Sequence, residues 1–248
     1  MSEPGPSPTP RRSVGAWPIF LAAAVILVTG VIVGVSHTRH VIMQRRLLST
    51  PMSEVADHPD LVAFATQQAK PVFARYCAAC HGADMRGLAA TGAPNLTDST
   101  TLYGDDVFHI ERTILYGSRS GQKRANDITE MPAFGQRGQL SDTDIKNVVQ
   151  YLLKLNRRPY DDGDAVQGQA IYAGKGVCYD CHAPDAKGEP DYGAPDLTAN
   201  VWDYGGDPKS LYNSIYYGRH GVMPSWIGTL TLTQIRALAV SIHAASHH

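Results

Sequence analysis

The feature that most constrains this chain is a pentapeptide, Cys-x-x-Cys-His, that occurs twice. It reads CAACH at 77–81 and CYDCH at 178–182, and the two copies use all four cysteines of the 248 residues. Two residues between the cysteines bring both sulfur atoms onto one helical turn, and the adjacent histidine directs its imidazole at a metal held beside them. This motif attaches a c-type haem, one thioether bond per cysteine.

The sequence therefore predicts two covalently bound haem c groups. The predicted attachment residues are Cys77, Cys80, Cys178 and Cys181, and the predicted iron ligands are His81 and His182. Two other uses of paired cysteines fit less well. A zinc site needs four ligands from neighbouring pairs, whereas these pairs are 101 residues apart in sequence. A redox disulfide gives no role to either histidine.

The sixth ligand of each iron is predicted to be a methionine, which suits a haem of high potential. Met131 and Met223 occur late in the two repeats, and each is followed by proline, in MPAF and MPSW. Met85 follows the first pentapeptide too closely to reach the opposite side of the ring. His109 and His220 are rival ligands, but they do not recur at equivalent positions.

Other segments recur with the 101-residue offset of the pentapeptides, which indicates two copies of one domain. GAPNLT at 92–97 recurs as GAPDLT at 193–198, and Tyr103 and Tyr116 recur as Tyr204 and Tyr217. The offset then changes, because SRSGQKRANDITE in the first copy stands against RHGV in the second, nine residues fewer.

A proline lies 13 residues after each haem histidine, at Pro94 and Pro195. In small class I c-type cytochromes such a proline carbonyl accepts the second ring N–H of the histidine. That hydrogen bond fixes the ring and raises the basicity of the ligand nitrogen. We therefore assign both prolines to the haem sites.

The coarse secondary structure is helical. A helix is predicted over about 60–76, kinked or restarted at Pro71, and another from a Ser141 cap to about Leu155. A last helix is predicted after Thr233. The fold class is therefore all-α, with one N-terminal transmembrane helix followed by two tandem class I cytochrome c domains.

Val14 to Val35 form an uncharged run of about 33 Å as a helix, enough to cross a bilayer core of about 30 Å. The run is too long for the apolar core of a cleaved signal peptide, so a retained anchor in membrane lipid is predicted. Arginines flank both ends, so charge alone does not orient it. The net charge of −1 gives no reason to expect nucleic acid as a partner.

These features divide the chain into six predicted segments. They are an N-terminus over 1–13, a transmembrane helix over 14–36, a connector over 37–60, a first cytochrome c domain over 61–156, a linker over 157–164 and a second domain over 165–246.

From about residue 45 onward the chain resembles the dihaem subunit of cbb(3)-type cytochrome c oxidases, called CcoP or FixP. The resemblance rests on the following segments: ADHPDLVAFA at 56–65, both pentapeptides, GAPNLT and GAPDLT, TEMPAFG at 129–135 and YYGRHGVMPSW at 216–226. The chain departs from the family pattern before the membrane helix, where PSPTPRRSVGAWP replaces an acidic stretch and a Pro-Arg-Trp-Trp-like motif.

The resemblance implies a subunit without a catalytic site of its own. Such a subunit takes electrons from a donor cytochrome c or a cytochrome bc complex and passes them to a monohaem cytochrome subunit, then to the catalytic haem-copper subunit. It also implies the axial pairs, His81 with Met131 and His182 with Met223.

Covalent haem is attached on the outer side of the bacterial inner membrane. The haem domains are therefore expected in the periplasm and residues 1–13 in the cytoplasm.

Three alternatives remain open at this point. A free-standing anchored shuttle would serve several oxidases or a reductase, and a dihaem peroxidase would need one exchangeable iron position. The basic residues Arg119, Lys123 and Arg124 of the inserted loop form either a docking surface for an acidic partner or an ordinary solvated loop.

Overall fold

The computed structural model describes residues 17–98, 100–126 and 129–247. The predicted N-terminal segment 1–13 lies outside these ranges. The described residues form nine α-helices and no extended strand, in agreement with the all-α prediction. The helices are α1 (Trp17–Ser49), α2 (Pro59–Tyr76), α3 (Ala78–His81), α4 (Val107–Tyr116), α5 (Asp142–Leu155), α6 (Asp162–Ala173), α7 (Tyr179–His182), α8 (Pro208–Tyr217) and α9 (Leu232–Ser246).

The long apolar helix α1 contains the only stretch in the described residues that is long and apolar enough to cross a membrane, Phe20–Ser49. Its apolar side chains from Phe20 to Val35 are exposed. The helix continues beyond the predicted span, so the first part of the 37–60 connector is helical. No glycine or proline interrupts the chain between Gly34 and Pro51, and the helix ends just before that proline.

Residues from Arg46 onward form one compact unit, separate from the unit that ends at Arg45. Within it α2 begins with Pro59 in its first turn and continues through Pro71 without a restart. Ser141 caps α5 as predicted, in a capping box with Asp144. The cap of α9 is Thr231 rather than Thr233, because only Thr231 has a partner for a capping box three residues later, at Gln234.

The helices pack into two lobes that exchange their closing helices. The helix α9, which closes the second repeat, packs against α2 and α4 of the first. The helix α5, which closes the first repeat, packs against α6 and α8 of the second. We call α2, α3, α4 and α9 the first lobe, and α5, α6, α7 and α8 the second lobe.

A short connection explains part of this exchange. Only six residues, 156–161, separate the end of α5 from the start of α6. So short a link makes consecutive helices neighbours in space, as in a helical hairpin. The helix α5 therefore lies on the following repeat, and the position it would occupy on α2 is filled by α9.

A buried ion pair joins α9 to α4 in the first lobe. Arg236 donates to the Glu111 carboxylate, and the exposed fractions of the two side chains are 8% and 10%. The same guanidinium donates to the Leu47 and Thr50 carbonyl oxygens at 3.1 and 3.4 Å. Arg236 therefore also satisfies carbonyl groups at the end of α1, which no helical N–H can reach.

We expect Arg236→Met to lower the free energy of unfolding by about 3–5 kcal/mol, because it leaves the Glu111 carboxylate buried without a cation. Lys146→Met is the matched control, since Lys146 is also five residues after a helix cap but pairs with Asp142 at the surface. Its expected effect is below about 1 kcal/mol. Urea titrations of both variants test the difference, and equal midpoint shifts would contradict it.

Candidate haem sites

Both histidines of the pentapeptides lie on single helical turns, α3 and α7, directly after the cysteines. The His81 Nδ1 lies 3.1 Å from the Pro94 carbonyl oxygen, and the His182 Nδ1 lies 3.0 Å from that of Pro195. A carbonyl oxygen only accepts, so each Nδ1 carries the proton and donates it. The lone pair of each Nε2 is therefore free to bind a metal.

Burial lowers the pKa of both His81 and His182, and it outweighs the opposing effect of the proline carbonyls. Both imidazoles are therefore neutral near pH 7, which is the form that binds a metal. The same arrangement occurs in both repeats, since each histidine has the same partner type at the same sequence distance.

A loop closure that the sequence analysis missed holds each proline in place. Gly87 and Gly188, six residues after the histidines, donate to the His81 and His182 carbonyl oxygens at 2.9 Å. Both glycines have positive φ, and a Cβ on either would collide with the backbone around the following proline. Their equal spacing from the two histidines was a usable signal.

None of the four cysteines forms a disulfide bond. Cys80 is exposed, and the other three are partly buried. Burial raises the pKa of both Cys77 and Cys178 to about 11, and it also raises that of Cys181. The thiols of Cys77, Cys178 and Cys181 are therefore protonated near neutral pH. Among the described residues no group of three or more His, Cys, Asp or Glu side chains is arranged to hold a metal ion.

The two Met-Pro segments lie against the opposite repeat. The backbone of Met223 forms two hydrogen bonds with Ser118, both of 3.0 Å. The backbone of Met131 forms two with Arg219, of 2.9 and 3.1 Å. Gly117 touches the Met223–Pro224 backbone, and Gly218 touches the Met131–Pro132 backbone. Both glycines have positive φ, and a side chain on either would displace the methionine segment.

The side chains of the two Met-Pro segments also pack against the opposite repeat. Met131 and Cys178 are both partly buried and pack against the hydrophobic core of the second lobe. Trp226, three residues after Met223, packs edge-on against Tyr76 next to Cys77, with 5.4 Å between the ring centroids. This packing differs from the pairing expected within each repeat. The structure brings Met223 to the lobe of His81 and Met131 to the lobe of His182, because the closing helices are exchanged.

The rival ligands are placed differently. His109 Nδ1 lies 2.7 Å from the Asp106 carboxylate at the start of α4, so that nitrogen is engaged. His220 is exposed and lines a surface cavity together with Met131. Of the basic loop residues, Lys123 is exposed, Arg124 stacks on Tyr116, and Arg119 turns inward to donate to the Gly221 carbonyl oxygen.

These residues fit a c-type haem on three counts. Each site offers two cysteine thiols, a neutral imidazole with a free Nε2, and a methionine segment held in the same lobe. The donor set of one nitrogen and one thioether sulfur suits iron in a haem that stays six-coordinate.

A carboxyl group near these loops should make the free energy of unfolding depend on pH. Burial raises the pKa of Asp203 to about 6, and the Asp98 carboxylate adds to the shift. The folded state thus binds a proton more tightly than the unfolded state does, so the free energy of unfolding falls as the pH rises from about 4 to about 6. Asp203→Asn should weaken this fall and stabilise the protein at pH 7. Urea titrations at several pH values test this, and an unchanged slope in the variant would contradict it.

Comparison with known proteins identifies the family. The family described as "Cytochrome C oxidase, cbb3-type, subunit III" matches residues 64–152 and 163–240, one match for each repeat. The chain is 40% identical to the cbb3-type cytochrome c oxidase subunit FixP of Bradyrhizobium sp. (strain ORS 278) over 199 residues, which cover 80% of this chain and 67% of that protein.

Two further relatives agree. The subunit CcoP of Cereibacter sphaeroides is 36% identical, over 81% of this chain and 68% of that protein. The subunit CcoP of Rhodobacter capsulatus is 34% identical, over 92% of this chain and 81% of that protein. With both repeats matched, the chain belongs to the family of cbb3-type cytochrome c oxidase subunit III, whose domains are of the cytochrome c type.

Proposed function

We propose that this chain is a membrane-anchored electron-transfer subunit that carries two covalently bound haem c groups. It takes electrons from a donor cytochrome c or a cytochrome bc complex. It passes them to the monohaem cytochrome subunit and the catalytic haem-copper subunit of a cbb3-type oxidase. The observation that carries this proposal is the duplicated site, in which a Cys-x-x-Cys-His turn presents a histidine whose Nδ1 is held by a proline carbonyl.

Attachment uses the four thiols. Each of these cysteines, Cys77, Cys80, Cys178 and Cys181, would hold the haem by adding its S–H across one vinyl group, so that sulfur would bond to carbon, the hydrogen would pass to the neighbouring carbon, and no oxidant would be needed. Because burial raises the pKa of the Cys77, Cys178 and Cys181 thiols, these three already carry the hydrogen that this addition requires.

The axial ligands we propose are His81 with Met223 in the first lobe and His182 with Met131 in the second. The bound haem supplies one-electron exchange at iron. The protein residues hold both ligands of each iron in place, so little rearrangement accompanies the transfer, and the methionine favours a high potential. We assign no residue of the chain to a catalytic step. A dihaem peroxidase would need one exchangeable iron position, whereas here both irons would have a histidine and a methionine ligand.

The location we propose is the bacterial inner membrane, with α1 as a single-pass anchor. The N-terminal residues 1–13 are in the cytoplasm and both haem lobes are in the periplasm, because covalent haem is attached on that side. The membrane lipid and the other oxidase subunits are then the standing partners of the chain.

A haem stain of the denatured chain tests the cofactor assignment. The full chain should keep two haem equivalents, and Cys77→Ala with Cys80→Ala, or Cys178→Ala with Cys181→Ala, should keep one. No retained haem, or one equivalent in the unaltered chain, would refute the proposal. Purification from membranes tests the function, since a free-standing shuttle would separate from the haem-copper subunit and an oxidase subunit would not.

A further inference from the structure

Each repeat contains a tyrosine–arginine pair, in which the tyrosines are at equivalent positions and the arginine follows a glycine of positive φ by one or two residues. In one, the Arg219 guanidinium carbon lies 4.1 Å from the centre of the Tyr204 ring. In the other, the Arg119 Nη1 lies 3.5 Å from the Tyr103 hydroxyl oxygen, which is also 3.1 Å from the Ser118 Oγ. We call these four residues the junction pairs.

Each tyrosine of the junction pairs reaches the histidine loop of the other repeat. The Tyr204 ring packs against Gly92, two residues before Pro94. A Cβ built on Gly193, two residues before Pro195, would lie 2.8 Å from the Tyr103 hydroxyl oxygen. Both contacts are closer than a side chain on the glycine would allow, so the junction pairs lie directly on the loops that hold the ligand histidines.

Each arginine of the junction pairs lies beside a methionine segment. Arg219 forms the two backbone hydrogen bonds with Met131 described above. Arg119 follows Ser118, which pairs with Met223, and its Nε donates to the Gly221 carbonyl oxygen at 2.5 Å. The junction pairs therefore extend from the methionine side of one haem site to the histidine loop of the other.

Neither arginine has a carboxylate partner among the residues that the structure describes. Arg219 donates to the Ser214 Oγ at 3.0 and 2.8 Å, and Arg119 donates to an uncharged hydroxyl and a carbonyl. Both side chains are half-buried, and desolvation lowers the pKa of Arg219. A half-buried guanidinium without an anion is unfavourable, and the geometry of its N–H groups suits a carboxylate.

A c-type haem carries two propionate carboxylates. We propose that Arg119 and Arg219 are positioning residues that hold propionate groups at the junction between the lobes, Arg119 for the haem of the first lobe and Arg219 for that of the second. This inference rests on the proposed function. It follows that each arginine raises the reduction potential of its haem, since a nearby cation stabilises the state that has gained an electron.

The test is a redox titration of the purified, haem-loaded full chain. Arg219→Gln should lower one of the two potentials by about 59 mV, which is a tenfold change in the equilibrium constant of a one-electron reduction. Arg119→Gln should lower the other, and the double variant should lower both. Arg119→Lys and Arg219→Lys keep the charge and should shift the potentials much less. Arg157→Gln removes an exposed arginine and should shift neither.

If the two arginines had only a structural role, the Gln variants would yield less folded, haem-loaded chain, and the potentials of the remaining folded fraction would be unchanged. Two retained haem equivalents with both potentials unchanged in the Gln variants would overturn the inference and leave the proposed function intact. Absence of haem from the unaltered chain would instead refute the proposed function. Equal shifts in the Gln and Lys variants would also overturn the inference, because the effect would not depend on charge.

Discussion

Replacing Met131 with alanine should remove the sulfur ligand from the haem attached to Cys178 and Cys181, and leave the haem attached in its own repeat unchanged. The reason is the crossed packing, in which the Met131 backbone pairs with Arg219 and its side chain lies on the core of the second lobe. Loss of the sulfur-to-iron charge-transfer absorption of one haem, with a fall of one potential, is the expected measurement.

A chain with Cys178→Ala and Cys181→Ala assigns the affected haem, because it retains only the haem of the first lobe. In that chain Met223→Ala should abolish the remaining sulfur-ligand signal and Met131→Ala should leave it. The chain with Cys77→Ala and Cys80→Ala is the mirror control and should respond only to Met131→Ala. If Met131→Ala instead abolished the signal in the chain that lacks Cys178 and Cys181, and Met223→Ala left it, each iron would be bound by the histidine and the methionine of one repeat.

The two repeats should not fold when they are made separately. A fragment ending at residue 156 lacks α9, whose Ile235, Leu238 and Val240 are at most 1% exposed against the first lobe. A fragment starting at residue 157 lacks α5, which supplies six of the fourteen buried core residues of the second lobe. Each fragment alone should therefore lose helical circular dichroism and a stable two-ligand haem spectrum.

Joint production of the two fragments is the matched control for this prediction. The fragments should assemble into one particle with the spectrum of the intact chain, because the break falls between α5 and α6 and removes no helix. Either fragment folded alone, with a sulfur-ligated haem, would contradict the exchange of closing helices.

Several parts of the fold were predictable from local sequence because local chemistry determines them. The Ser141 cap needs only its own side chain and Asp144, and the prediction of α5 was confirmed to within a residue. The cap of α9 was misplaced by two residues, because two threonines stand there and only Thr231 has a partner three residues later. The extension of α1 to Ser49 was missed, since hydropathy marks an apolar span and not the end of a helix.

The residues of the candidate haem sites could be predicted from the sequence alone. The groups that can hold a haem follow from short motifs: two cysteines and a histidine within five residues, a proline 13 residues later and one Met-Pro per repeat. The fixed spacing of the cysteines and the histidine along the chain leaves little freedom in their relative positions. The crossed packing of the two Met-Pro segments was decided only by the tertiary structure. Both methionines are chemically equivalent, and the choice between them depends on which lobe each closing helix covers. That choice follows from the short link between α5 and α6, which the sequence shows, together with the buried surface of α9, which forms only when distant segments pack together.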